Sequence, residues 1–367
     1  MSLLEQLKNV KLKSSGVERD FSGPKTTGFL SQGEIDKYQN SVLDVNTEQW
    51  YALLKDVTFE TVYCSIYYDE AQLFVKVYEK VYKDGDSSEI ASRNWRDALC
   101  ADDLELVQAM TDRLQEQMLT YTQDGGSAFV KTSSRSAKDA PLYQEKIKQL
   151  YLEKLHSHPK ELHCDENLQI TCLLEAAFEA MKVADAGTVL DMFMRSERIF
   201  QDMLLATEKK DRFHENFVIR RYHHIDVDME FRGFVFNNRL TALSQYNYLI
   251  YSERLVKQKE HILNLLTEFY NKEVLPRLKT AKFEKDFIID FALTDEGKRI
   301  WVIEINPFME TTDGALFDWN KERSILEGRE GEDVTFRLTT RPKPGAKVML
   351  PVGARQLLQE TSSTTSV

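Results

Sequence analysis

Glu304 and Asn306 stand two residues apart in Trp301-Val302-Ile303-Glu304-Ile305-Asn306, and a β-strand would turn both to one face, because successive strand side chains alternate. Trp301, Ile303 and Ile305 would then share the other face. The segment before it alternates in the same way, with Phe287, Ile289 and Phe291 on one side and Asp286, Ile288 and Asp290 on the other. A three-residue Asp295-Glu296-Gly297 turn, with Gly297 left-handed, has the parity that brings Asp290 beside Glu304 and Asn306. Hard oxygen donors gathered in this way suit Mg²⁺, which keeps several waters and leans on substrate phosphates. Pro307 stops strand pairing and leaves the Asn306 amide available to coordinate. The plainer alternative is that Asp290, Glu304 and Asn306 cap strand ends or sit on a solvated sheet face.

Lys131 ends a second apolar strand, Ser127-Ala128-Phe129-Val130-Lys131-Thr132, and is followed by the polar loop Ser133-Ser134-Arg135-Ser136-Ala137-Lys138. A lysine leaving a strand, with hydroxyls and backbone N–H groups behind it, can wrap an anion, although the loop is not a Walker A sequence. Arg220, Arg221 and Arg232 add cations on strand positions. Arg232 sits between Phe231 and Gly233 in a strand that should be partly buried, so it needs an anionic partner, either a structural carboxylate such as Glu230 or a phosphate.

These residues need elements to position them. The chain of 367 residues is 42% hydrophobic and 29% charged, a globular composition with a formal charge of −11 from 48 Lys plus Arg against 59 Asp plus Glu. An acidic chain argues against direct nucleic-acid binding, which draws on net basic charge. No apolar run is long enough to span a membrane. Cys64, Cys100, Cys164 and Cys172 lack paired CxxC spacing and no signal-like leader is legible, so a cytoplasmic location is expected.

Residues 1–47 read as a turn-rich, extended leader. Trp50 to Leu54 predict a helical turn, and Val57 to Tyr63 a strand. Asp69 to Tyr82, Asp102 to Leu119, Tyr143 to Leu155, Leu168 to Val183 and Gly187 to Leu205 carry helical periodicity. Strands are predicted at Asn216 to Tyr222, at Glu230 to Phe236 and, through a tight Asn237-Asn238 turn, at Arg239 to Gln245. One long amphipathic helix, Ser252 to Leu278, precedes the Asp290/Glu304 hairpin, and another strand follows at Val334 to Leu338. The class is α+β with a largely antiparallel sheet. The expected organisation is a leader at 1–47, an N-terminal lobe at 48–215 with a helical insertion near 141–180, a C-terminal lobe at 216–350, and a polar tail at 351–367.

Ser127 to Ala140 (SAFVKTSSRSAKDA), Met229 to Tyr248 (MEFRGFVFNNRLTALSQYNY) and Asp286 to Trp319 (DFIIDFALTDEGKRIWVIEINPFMETTDGALFDW) resemble the signature blocks of the cell division cycle protein 123 family. Weaker likeness extends to Trp50 to Thr61 and Met181 to Leu205. The resemblance implies an ATP-grasp fold, two lobes clamping ATP and Mg²⁺. It also implies a cytoplasmic chaperone that assembles translation initiation factor 2 by joining its α and γ subunits, with the γ subunit as client; a monomer is expected.

Carried onto this sequence, the resemblance makes Lys131 a phosphate lysine, with Ser136 and Lys138 in the covering loop. Arg220, Arg221 and Tyr222 would form a hinge strand beside adenine and ribose, while Arg232 and Gln245 would line the nucleotide. Asp290, Glu304 and Asn306 would hold Mg²⁺. Departures are Ser133-Ser134-Arg135 where the family has Asn-Trp-Ser, a metal hairpin one residue longer, Glu304 for an aspartate, and about forty extra helical residues near 141–180. The alternative is an ATP-grasp carboxylate–amine ligase working through an acyl phosphate, for which no acyl or amine site is legible. Thr365-Ser366-Val367 resembles a PDZ ligand. His156, His158, His163 and Cys164 fit no structural zinc spacing.

Overall fold

The computed structural model describes residues 32–83, 90 and 92–364. In chain order the main elements are α1 (Gln32–Asp44), α2 (Thr47–Leu54), β1 (Thr61–Ile66), α3 (Tyr68–Val81), α4 (Ala101–Thr122), β2 (Ala128–Thr132), α5 (Glu145–His156), α6 (Glu166–Ala180), α7 (Ala186–Arg195), α8 (Glu197–Glu208) and β3 (Glu215–Arg221). They continue with β4 (Glu230–Phe236), β5 (Arg239–Gln245), α9 (Glu253–Lys257), α10 (Lys259–Phe269), α11 (Leu275–Thr280), β6 (Phe287–Thr294), β7 (Arg299–Pro307), α12 (Arg323–Leu326), β8 (Thr335–Arg337) and α13 (Val352–Thr364).

Contacts gather the described residues into two units. One holds the chain up to Asn40, Thr61–Tyr222 and the chain from Gly345; the other holds Ser41–Glu60 and His223–Pro344. The boundaries expected at 48, 216 and 350 cut across this division. The apolar stretch Val57 to Tyr63, expected as one strand, is shared out: Thr58 bridges Val302 in parallel, and the strand proper starts at Thr61.

The first unit has a sheet of order β1-β3-β2, antiparallel throughout. Cys64, Ile66, Ala128, Val130, Phe217 and Ile219 share one face and join Phe74, Met110, Leu114, Met118 and Phe193 of α3, α4 and α7 in a core cluster. Each Val, Leu, Ile, Phe or Met side chain among them, taken fully out of water, contributes about 1.5–3 kcal/mol. Side-chain caps start three helices: Asp165 accepts from the Leu168 N–H at 2.7 Å, Asp185 from Thr188 at 2.8 Å and Ser196 from Ile199 at 3.2 Å, the last dividing the single helix expected over Gly187 to Leu205 into α7 and α8.

The expected polar tail is instead helix α13, with Ala354, Leu357 and Leu358 buried. It packs on α5 of the helical insertion. Glu166 at the first turn of α6 accepts from the Gly345 and Lys347 N–H groups at 3.0 and 2.7 Å. The insertion is therefore where the returning C-terminal segment docks. Residues 365–367 lie outside the described residues, as does the leader before Gln32; α1 shows that the rest of that leader is helical rather than extended.

The second unit has a sheet of order β7-β6-β4-β5-β8, antiparallel except for the β5–β8 pair. Leu255, Ile262, Leu266, Tyr270, Val274 and Leu278 cover one face over Phe231, Leu243, Phe287, Ile289 and Phe291. The single long helix expected here is broken, with a π-turn at Tyr270–Val274 leading into Pro276. Proline lacks an N–H and clashes with the carbonyl one turn back, and a π-turn relieves both. Asn237 and Asn238 have φ of 51° and 62°, the left-handed pair that a two-residue hairpin turn requires.

Candidate functional site

In the first unit, Lys131 pairs with Val218 and Phe129 with Arg220, so Lys131 and Arg220 lie on one face of the sheet, opposite the α3/α4 core. Both are 3% exposed. Arg221 alternates to the other face, where its guanidinium lies 5.2 Å from the Tyr121 ring of α4. The Tyr222 hydroxyl is 3.5 Å from a Glu179 carboxylate oxygen. Strand alternation therefore sets Arg221 apart from Arg220, its neighbour in the expected hinge group. Ser136 is buried, and Lys138 lies 5.8 Å over the Phe178 ring.

In the second unit the expected cluster forms by an unexpected route. Thr294 pairs with Arg299, so the hairpin loop has four residues, Asp295–Lys298, and on parity alone Glu304 would face the helices. A β-bulge at Ile303 restores it: Phe291 pairs with Val302, yet Asp290 pairs with Glu304. Ile288 pairs with Asn306, and the Asn306 amide nitrogen lies 3.4 Å from Asp290 Oδ2. The same bulge corrects the assignment of Trp301. It pairs with Ala292 and so shares the Asp290 face, stacked on Phe59 at 4.8 Å, with the His223 ring beside both.

Arg232 pairs with Asp290 on one side and Ser244 on the other, and Ser244 with Arg337. One polar row thus crosses the sheet: Glu304, Asp290, Arg232, Ser244, Arg337. Arg232 Nε and Nη2 donate to both Asp290 oxygens at 2.9 and 2.8 Å, and Nη1 donates to the Asp313 carbonyl at 2.7 Å. Burial opposes the charge on Arg232, but the Asp290 carboxylate outweighs it and raises the guanidinium above its usual value.

The next two positions of the row hold the segment 313–322 across the sheet. Leu316 N–H donates to Ser244 Oγ at 3.2 Å, and Arg337 donates to the Leu316 carbonyl at 3.0 Å and to both Glu322 oxygens at 2.8 and 2.6 Å. Beneath it Phe317 and Trp319 pack edge-on against Phe234. Gln245 lies on the opposite sheet face, paired with Phe231; its amide donates to the Asn247 and Ile250 carbonyls and accepts from Thr339. That full set of internal bonds separates it from the row containing Arg232.

The chemistry of the donor set fits a hard divalent cation. Asp290 and Glu304 supply carboxylates and Asn306 an amide oxygen, and a carboxylate holding an arginine fork retains lone pairs for a metal. Among the described residues no group of three or more His, Cys, Asp or Glu is placed to hold a metal, so the histidines near 156–163 form no such centre. No helix among them is long and apolar enough to cross a membrane.

A family model described as D123 matches residues 158–357, more than half of the chain. The chain belongs to the D123 family. Relatives include a Xenopus tropicalis protein named translation initiation factor eIF2 assembly protein, 33% identical over 144 residues covering 36% of this chain and 42% of that protein. Another is the cell division cycle protein 123 of Candida glabrata, 32% identical over 123 residues, 34% of this chain and 33% of that one. The chain thus matches under half the length of these relatives. Among solved structures, Cdc123 from Schizosaccharomyces pombe superposes with a TM-score of 0.52 at 20% identity, covering 83% of this chain and 98% of that one.

That likeness establishes a fold shared with Cdc123, an α+β architecture with largely antiparallel sheets. Within the D123 match lie Arg220, Arg232, Asp290, Glu304 and Asn306, whereas Lys131 and its loop precede it. Sequence reasoning missed Ser244 and Arg337 as members of the row and the Asp313 carbonyl as a partner of Arg232. The available signal was polar residues alternating with apolar ones on β4, β5 and β8 in turn.

Proposed function

We propose that this D123-family protein is an assembly factor for translation initiation factor 2 that binds ATP with Mg²⁺, its client being the γ subunit that it joins to α. The observation that carries the nucleotide half of this reading is the row Glu304–Asp290–Arg232, half-buried at Glu304 and buried at Asp290 and Arg232, in which two carboxylates and a fixed guanidinium share one sheet face. The assembly half is supported by relatives that are named translation initiation factor eIF2 assembly proteins. In this reading Asp290, Glu304 and Asn306 would hold Mg²⁺, whose chemistry is to screen polyphosphate charge. Lys131 and Arg220, buried on one face, would meet phosphate oxygens, and Arg232 would orient Asp290.

The test is the melting temperature with and without Mg²⁺-ATP, for wild type and for Asp290→Asn with Glu304→Gln, since a ligand that binds only the folded state raises it. A rise in wild type that the double variant lacks supports the site, and capture of the γ subunit then supports the client. No rise at millimolar ATP sinks the nucleotide reading. ADP release driven by a small carboxylate and amine would favour a ligase.

A further inference from the structure

The segment from Thr132 to Asp139 contains no glycine, yet it turns sharply out of β2. Its shape comes from side-chain ties. Thr132 N–H and Oγ1 both donate to the Arg135 carbonyl, at 2.8 and 2.9 Å, and the Arg135 N–H returns a bond to Thr132 Oγ1 at 3.1 Å. Ser133 Oγ accepts from the Asn216 N–H at 2.9 Å and so carries the β2–β3 ladder past its end.

The remaining ties run to two helices. Arg135 Nε lies 3.1 Å from Asp202 Oδ1, and its Nη2 donates to the Tyr38 hydroxyl at 2.6 Å. Ser134 Oγ donates to the second Asp202 oxygen. Further along, Arg198 Nε donates to the Ser136 carbonyl at 3.0 Å, and Asp139 accepts from Ser196 Oγ at 2.6 Å and from the Arg198 N–H at 3.3 Å. Helix α8 and its cap thus hold both ends of the segment, while α1 supplies Tyr38. Tyr38 and Asp202 are both buried, at 7% and 9% exposure.

We propose that Tyr38 and Asp202 are positioning residues for the nucleotide site: acting through Arg135 and Ser134, they hold Ser133–Lys138 in its binding shape before any nucleotide arrives. This rests on the ATP reading above and deepens it. A loop already ordered loses no further conformational freedom when its N–H groups and hydroxyls meet a phosphate, whereas a slack loop must be ordered out of the binding energy. The segment is therefore a fixed cradle and not a lid.

The experiment uses the full chain and two readouts. Amide hydrogen exchange without nucleotide reports the order of 133–138, and titration calorimetry with Mg²⁺-ATP reports affinity. Asp202→Asn, which removes the charge that fixes Arg135, is expected to speed exchange in 133–138 selectively and to weaken Mg²⁺-ATP by about tenfold. Tyr38→Phe, which deletes one hydroxyl, is expected to give the same pattern at about threefold and decides the matter if Asp202→Asn fails to fold. Asp202→Glu should restore most of the affinity, which a purely structural role would not require.

If wild type binds Mg²⁺-ATP while both loosened variants bind it equally well, the positioning role is overturned and the nucleotide reading stands. If wild type does not bind, that reading falls and the positioning role with it. Unchanged exchange in 133–138 overturns the pinning itself.

Discussion

Arg232 and Asp290 face each other across β4 and β6, joined through two parallel hydrogen bonds, with side-chain exposures of 7% and 5%. Such a pair is costly to break on one side, because the partner left behind is a buried, uncompensated charge. Arg232→Met is expected to destabilise the protein by about 3–5 kcal/mol, while Arg232→Met with Asp290→Leu recovers much of that loss. Urea unfolding of the two variants checks this, and equal losses would show that the pair is not coupled.

Gly233 lies next to this pair on the helix-covered face. A Cβ there would come within 2.9 Å of Leu240 Cδ1, 3.0 Å of Phe291 Cε2 and 3.1 Å of Ile289 Cγ2. Gly233→Ala is expected to cost about 1–3 kcal/mol through overpacking, read as a lower urea midpoint with an unchanged slope.

The C-terminal clasp should be measurable by itself. Leu358 of α13 is 3% exposed, on the helix that docks against α5. Leu358→Ala is expected to cost about 2–5 kcal/mol locally and to open the 145–180 segment to protease before the rest of the chain is cut. Cleavage confined to other segments would contradict the docking.

Acid sensitivity follows from Asp228. Burial opposes its ionisation, but Arg254 at 2.7 Å and Ser252 at 2.6 Å outweigh it and hold the carboxyl below its usual range. A folded-state value below the unfolded one stabilises above the unfolded carboxylate range, about pH 4, and that gain is lost as pH falls through the folded value. The urea midpoint of wild type should therefore fall more steeply than that of Asp228→Asn between about pH 5 and about pH 3. Parallel curves would show that the group is not linked to folding.

Much of this molecule was legible in the sequence because local rules decide it. Period-two alternation and the Asn237-Asn238 turn located β4–β7, helical periodicity located most of the helices, and a buried arginine announced the need for an anion. Alternation also separated Asp290 from the Phe287, Ile289, Phe291 core. These features depend on neighbours a few residues away, which a single sequence contains.

What the tertiary structure alone decided depends on partners far along the chain. The four-residue loop already puts Val302 into the helix-covered core and Trp301 on the Asp290 face; the Ile303 bulge lets Ile305 join Val302 in that core and seats Glu304 opposite Asp290. Arg135 read as a loop charge until α1 and α8 brought Tyr38 and Asp202 to it. The segment 351–367 read as a polar tail because its few apolar residues become a buried stripe only against α5. Long-range pairing and burial choose between faces that local preference leaves equal, and there the sequence alone was silent.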